Sequence, residues 1–290
     1  MNSRALLLLI VLALLVGCGG RVNDQTAEDA QQTIENIGSD TIVNLALAWA
    51  EAYQTVQPAV RISVSGGGSG TGLAALVNGT TDIANASRKI KKEEIADAQK
   101  KGIEPYEIEI ARDAIGVIVH PQNPVQQLTL QQVSDIYSGQ IKNWQDLGGE
   151  NRPIVLLSRE SNSGTHVFFL ETVVRLSQKD NKTLFSQDTL LLPSSEGIIA
   201  EVRQNPNAIG YDGLGYITPE VKTLAIAPKA GDEYVKPSVA SVNSGQYPIA
   251  RPLFMYTPGE PAGAVKTYID WIRGPAGQQI VNQLGFVPLK

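Results

Sequence analysis

Apolar and polar positions alternate along the chain in a pattern of short strands and helices. Ile42, Leu45, Trp49 and Tyr53 share one helical face, with Ala46 and Ala50 beside them, and predict a helix over 42–53. VRISV at 60–64 predicts a strand, SGGGSGTG at 65–72 a turn, and LAALV carries a helix over 72–78. TTDIANAS at 80–87 reads as a short strand ending in small residues, and 92–101 as a polar helix closed by Gly102. EIEIARDAIGVIVH at 107–120 alternates and then turns continuously apolar, as expected of a strand that crosses between lobes. TLQQVSDIYSG at 129–139 predicts a helix with a Thr129/Gln132 capping box and a Gly139 stop, and 141–149 a turn-rich loop. The second half repeats the scheme. A strand at 153–157 is followed by SRESNSGT at 158–165 and a helix over 166–176. Then come a helix over 194–206, a glycine-kinked strand over 208–217, a loop-rich stretch at 228–248 and a strand at 251–257. Two helices, 261–273 and 275–284, are split at Gly274-Pro275. Strand–helix alternation without low-complexity linkers predicts an α/β fold of two lobes. The chain passes between them twice, with 24–111 plus 226–290 in one lobe and 112–225 in the other.

The amino end departs from this pattern. Arg4, the apolar run ALLLLIVLALLV and Gly17 before Cys18 form a lipoprotein-type signal, so that residues 1–18 comprise a leader and a lipidated cysteine. The apolar run is shorter than the roughly 20 residues a membrane span needs. Residues 19–33 are polar and aperiodic, a flexible tether between lipid and fold. Cys18 is the only cysteine, so no disulfide within the chain is expected. With 42% hydrophobic residues the core alone can hold the fold. A net charge of −5, one unit more negative once Arg4 leaves with the leader, and the absence of a basic stripe argue against nucleic acid.

The chemistry concentrates where strands run into helices. SGGGSGTG and SRESNSGT both place small residues and hydroxyls at a helix start, where unpaired N–H groups and the helix dipole favour an anion. IGSDT at 37–41 adds a third start, with Ser39, Asp40 and Thr41, although Ser and Asp before a helix are also ordinary caps. A guanidinium at Arg159, beside this set of donors, suits a tetrahedral oxyanion. Arg88 is a second candidate cation, or a structural ion pair. Other chemistries find little support. There is no P-loop lysine after Gly70 and no G-x-S-x-G elbow. Two histidines, His120 and His166, and a single cysteine do not make a zinc site. His166 follows Ser163 by three residues, which leaves a hydrolase pairing open, without an orienting acid.

GSDT with Trp49 and Tyr53, GGGSGTG, TDIANASRKI, DIYSGQIKNW, SRESNSGT, AIGYDGLGY and RPLFMYT together resemble the phosphate-binding proteins of high-affinity phosphate ABC transporters, in family order along the whole mature chain. The resemblance implies a type II periplasmic-binding-protein fold, two lobes with a two-crossing hinge closing on one phosphate. It implies delivery to permease subunits, a monomer without cofactor or metal, and a lipid-anchored location on the outer face of the cytoplasmic membrane. Matched by motif, Arg159 grips the anion, and Ser163, Gly164 and Thr165 donate from the second lobe. Ser69 and Gly70 donate from the first, with Ser39, Asp40 and Thr41 touching the ligand. Ser87 and Ser161 stand where the best-known members carry aspartates. A carboxylate can accept the proton of phosphate and rejects sulfate, so these serines leave sulfate or molybdate as an alternative ligand. Asp40 is then the expected proton acceptor. A phosphatase using Ser69 or Ser163 and an adhesion protein reusing the fold are the remaining readings.

Overall fold

The computed structural model describes residues 32–290. The elements in order are β1 (Gln32–Gly38), α1 (Asp40–Val56), β2 (Val60–Ser65), α2 (Ser69–Val77), β3 (Ile83–Ala86), α3 (Lys92–Gln99), β4 (Tyr106–Val119), β5 (Gln127–Thr129), α4 (Leu130–Tyr137), β6 (Val155–Arg159), α5 (Gly164–Phe169), β7 (Leu190–Leu192), α6 (Ser195–Gln204), β8 (Ala208–Gly213), β9 (Lys222–Thr223), β10 (Ala225–Ala227), α7 (Val239–Asn243), β11 (Ala250–Thr257), α8 (Gly263–Arg273) and α9 (Pro275–Gln283). The main sheet runs β2-β1-β3-β11-β4-β8-β6-β7, with β9 added beside β4, and β10 pairs separately with β5.

The alternating-then-apolar segment forms the single strand β4, and its two halves serve different neighbours. Tyr106–Ala114 pairs antiparallel with β11, whereas Ile115–Val119 pairs antiparallel with β8. Parallel β1, β2 and β3 lie on one side of this handover and parallel β6, β7 and β8 on the other. Strands β1, β2, β6 and β7 each run within a few residues into a helix start, at Asp40, Ser69, Gly164 and Ser195.

Helix α1 buries Ile42, Leu45, Ala46, Trp49 and Tyr53, the predicted face. Trp49 Nε1 donates to the carbonyl of Gly277 in α9 at 2.9 Å, and the Tyr53 ring meets Tyr268 and Trp271 of α8 at 4.8 and 5.3 Å. The carboxy-terminal helices thus close over the first core. A second core gathers Val117, Val133, Tyr137, Trp144, Phe169, Tyr211 and Ile226. The predicted capping box holds, with Gln132 N–H donating to Thr129 Oγ1 at 3.1 Å and Thr129 N–H to Gln132 Oε1 at 2.9 Å.

Several expectations need correction. Residues 32–33, assigned to the tether, begin β1, because the backbone of Gln32 and Thr33 pairs with Val60 and Arg61. β1 itself escapes the pattern because its inward positions, Ile34, Asn36 and Gly38, include only one apolar side chain. The helix expected over 166–176 becomes a π-turn at Leu170–Val174 and ends where Leu176 and Ser177 take positive φ of 51° and 58°. The strand at 208–217 stops at Gly213 and yields a 3₁₀ turn, Leu214–Tyr216. Ile226, Val242, Tyr247 and Ile249 pack with Val117, Val133 and Tyr211, and the pairing of β10 with β5 ties 225–227 to 127–129. The leader, Cys18 and the remaining tether residues lie outside the described residues. Among those described, no helix is long and apolar enough to cross a membrane.

Replacing Trp49 by Phe removes the indole donor that ties α1 to the Gly277 carbonyl of α9. The expected loss is about 0.5–1.5 kcal/mol of unfolding free energy, read as a lowered urea midpoint at unchanged slope.

Candidate functional site

Five helix starts and strand ends converge where β4 changes partners. Thr41 in the first turn of α1 and Thr165 in the first turn of α5 bring their hydroxyls to 2.7 Å, across 124 residues of chain. Ser69 at the start of α2 and Ser87 after β3 have hydroxyls 3.3 Å apart, and Ser87 N–H donates to Ser69 Oγ at 3.0 Å. Gly164 is pressed against this pair. A Cβ there would lie 2.2 Å from Ser69 Oγ and 2.5 Å from Ser87 Oγ, so no side chain fits without displacing the hydroxyls. All four hydroxyl residues are buried.

The cation at this cluster is Arg251. Its Nη2 donates to Thr165 Oγ1 at 3.0 Å and reaches Thr41 Oγ1 at 3.5 Å, while Nη1 donates to the Ser87 carbonyl at 2.9 Å. Arg251 sits directly across from Asp113 in the β11–β4 register and forms a buried ion pair with it, Nη2 to Oδ2 at 3.0 Å. Asp113 Oδ1 accepts from Leu214 N–H at 3.0 Å. The guanidinium also lies 5.4 Å from the centroid of the Phe168 ring and borders a cavity of about 320 Å³ shared with Arg88, Lys89 and Phe254. Sequence reading missed Arg251 and Asp113. The available signal was a cation opening an otherwise apolar strand, RPLFMYT, and an acid inside the apolar half of 107–120.

Arg159, the expected gripping cation, is buried but largely engaged by protein. Its Nη2 pairs with Asp40 Oδ2 at 2.9 Å and donates to the Pro193 carbonyl at 2.7 Å. Its Nη1 donates to Ser195 Oγ at 2.8 Å, and Nε reaches the Leu192 carbonyl at 3.4 Å. Asp40 Oδ2 accepts from Ser195 N–H as well, at 3.0 Å, so this carboxylate serves as the counter-ion of Arg159 at the start of α6. Ser195 Oγ in turn donates to Asp212 Oδ1 at 2.9 Å, a contact that sequence reading also missed. Asp212 is completely buried, and burial pushes its carboxyl up to about 6 against the pull of nearby Arg159.

The remaining candidates divide. Ser163 is the N-cap of α5, its hydroxyl accepting from Thr165 N–H at 3.2 Å. Gly70 N–H donates to the Asn162 carbonyl at 2.9 Å, and Asn162 Nδ2 to the Gly67 carbonyl at 2.8 Å, so the two small-residue turns clasp each other directly. Ser39 caps α1 without a side-chain bond, and its N–H donates to the Asn85 carbonyl. Ser161 is exposed in its turn and is not buried with the hydroxyls. Arg88 forms a two-pronged pair with Glu94, at 2.7 and 2.8 Å, the structural alternative raised for it. The Ser163–His166 side-chain pairing does not form. His166 turns Nδ1 to Ser158 Oγ at 3.0 Å, and burial lowers its pKa. Among the described residues no group of three or more His, Cys, Asp or Glu side chains is placed to hold a metal ion.

What gathers here is chemistry for a small oxyanion: hydroxyl donors, a buried guanidinium with a matched carboxylate, and helix N-termini. Breaking the Arg251–Asp113 pair tests its part in the fold. Asp113→Asn leaves a buried charge without its partner and is expected to cost about 3–5 kcal/mol. The double replacement Asp113→Leu with Arg251→Met is expected to cost less than that single change, both read by chemical denaturation.

The PBP superfamily domain model matches residues 23–275. The phosphate-binding protein PstS of Pseudomonas aeruginosa is 35% identical over 282 residues, covering 91% of this chain and 85% of the relative. The phosphate-binding protein PstS of Bacillus subtilis is 29% identical, covering 99% and 94%. Among solved structures, a phosphate-bound Clostridium perfringens protein described as a phosphate ABC transporter substrate-binding protein superposes with a TM-score of 0.79 at 33% identity, covering 89% of this chain and all of that one.

Proposed function

The chain belongs to the PBP superfamily, and from that membership we propose that it captures inorganic phosphate and hands it to an ABC permease. The observation that carries the reading is the convergence of Thr41, Ser69, Ser87, Gly164, Thr165 and Arg251 at one buried point. Relatives and a neighbour named for phosphate supply the ligand's identity. In this reading the two lobes are 32–111 with 251–290, and 112–250, joined where β4 passes from β11 to β8 and where the chain returns into β11. Phosphate draws both lobes onto itself. Ser69 and Ser87 donate from one, Gly164 N–H and Thr165 from the other, and Thr41 and Arg251 reach across. Each charge-assisted hydrogen bond contributes about 1.5–3 kcal/mol, so a few of them support micromolar or tighter binding after the cost of closure.

Arg159 completes the site in this reading by its remaining N–H, held in place by Asp40 and Ser195. The protein works as a monomeric receptor rather than an enzyme, tethered through a lipid on Cys18 to the outer face of the cytoplasmic membrane. Neither Ser69 nor Ser163 has a side-chain base, which leaves the phosphatase reading without an activated nucleophile.

Calorimetric titration with phosphate, sulfate and molybdate is expected to give phosphate the tightest binding. Thr165→Val is expected to weaken phosphate at least about tenfold, the equivalent of one charge-assisted bond. Arg251→Lys, which keeps a positive charge for Asp113 but loses the planar fork, is expected to weaken it similarly. Tighter sulfate binding, or wild-type affinity in both variants, overturns the reading. Fatty-acid labelling that is lost in Cys18→Ser checks the anchor.

A further inference from the structure

The charge count of the buried network is uneven. Arg159 pairs with Asp40 and, through Ser195 Oγ, reaches Asp212; Arg251 pairs with Asp113. Three carboxylates therefore face two guanidiniums. With all three ionised, one negative charge is left over in a place proposed to receive an anion.

The three acids differ in how that charge is met. Asp113 has donors on both oxygens: Arg251 Nε and Nη2 on Oδ2, and Leu214 N–H on Oδ1. Asp40 has two donors on Oδ2 and is 18% exposed, so water reaches it. Asp212 is fully buried, with Ser195 Oγ and Gly213 N–H on Oδ1 and no partner on Oδ2. A buried carboxylate oxygen without a donor is a costly arrangement for the charged form. A proton on Oδ2 cancels the excess charge and replaces a buried, unmet ionic acceptor with a neutral group, which is far cheaper to bury.

We propose that Asp212 is the proton carrier of the anion site, taking up a proton as phosphate binds so that dianion and proton enter together. This rests on the phosphate reading above. The balance is simple: the phosphate dianion leaves water for the site, one proton leaves solvent for Asp212 Oδ2, and no covalent bond changes except the new O–H. The groups facing Asp212 fit this role. Arg159 from β6 and Ser195 from α6 favour the ionised acid, while Asp113 from β4 and Tyr216 after β8 add no positive charge, and Arg251 from β11 feels Asp212 but is already matched by Asp113. Asp40 from α1 shares Arg159 with it. An arriving dianion competes for both guanidiniums and tips the acid toward its neutral form.

The sign follows from the acid's position near 6 before ligand arrives. Below that pH Asp212 already holds its proton and itself takes up none on binding. Above it Asp212 draws a proton in, and where free phosphate is already the dianion, as at about pH 8, affinity falls toward about tenfold per pH unit. Asp212→Asn removes the titrating group and with it this component of the slope.

The test is calorimetry of phosphate binding to the purified full chain at about pH 8, in buffers of differing ionisation enthalpy, which counts protons taken up per anion. Uptake of close to one proton by wild type, falling toward none in Asp212→Asn, is the expected result. Binding with no uptake by wild type overturns the proposal and leaves the phosphate reading standing. Equal uptake in Asp212→Asn also overturns it, because the proton then resides on the anion or on another acid. Should Asp212→Asn fail to fold, the wild-type proton count, together with its affinity across the pH range, decides alone: no uptake, or a slope unchanged through the region near 6, overturns it. Absence of phosphate binding at every pH brings down both readings.

Discussion

The ion pair between Arg251 and Asp113 holds the centre of this molecule. It joins directly opposed residues of β11 and β4 at the place where β4 is about to exchange β11 for β8. Asp113 extends the connection to the turn after β8 through Leu214 N–H, and Arg251 extends it to α1, β3 and α5 through Thr41, the Ser87 carbonyl and Thr165. Two charges buried at this depth are tolerated only when each is matched and hydrogen-bonded. The pair therefore constrains the positions of every element that ends near it. It also explains how an acidic chain presents a cation to an anion: the positive charge is local, fixed by backbone pairing, and does not depend on the sign of the surface.

The parts of the site that were legible in the sequence are the ones with local causes. The strand, small-residue turn and helix sequences at 60–78 and 153–169 announce themselves by period and by glycine and hydroxyl content; both turns lead into helices, which begin at Ser69 and Gly164, within the turns and before the expected 72 and 166. The capping box at Thr129 is equally local. Even there, spacing does not say which way a hydroxyl will turn. Ser163 is taken up by its own helix, Ser161 stays exposed, and His166 reaches back to Ser158 instead of to Ser163.

What stayed hidden depends on long-range pairing. Arg251 and Asp113 are 138 residues apart and become neighbours only through strand register. Asp212 meets Arg159 through Ser195, a residue that by sequence alone is an unremarked serine at the start of a helix. Strand β1 was unreadable for a related reason. Its inward positions carry Asn36 and Gly38 where a period of two calls for apolar side chains, and Gly38 lies so close to β3 that a Cβ would fall 2.2 Å from the Asn85 carbonyl. The close approach that brings β3, and with it Ser87, beside the helix starts is the same feature that erased the strand's hydrophobic signature.

Seen from the charges, the hydroxyls and the arginines have distinct tasks. The hydroxyl group of Ser69, Ser87, Thr41 and Thr165 offers donors of no net charge, which can meet any oxyanion oxygen. The arginines supply the positive charge, but each arrives already tied to an aspartate. A guanidinium neutralised by a matched carboxylate still has directional N–H groups, although its Coulomb attraction for a distant anion is largely cancelled. Such a site discriminates by short-range geometry and by proton position more than by charge. A hydroxyl at Ser87 is compatible with this arrangement, because the carboxylates lie beside the arginines instead, Asp40 against Arg159 and Asp113 against Arg251, where each fixes the orientation of its guanidinium.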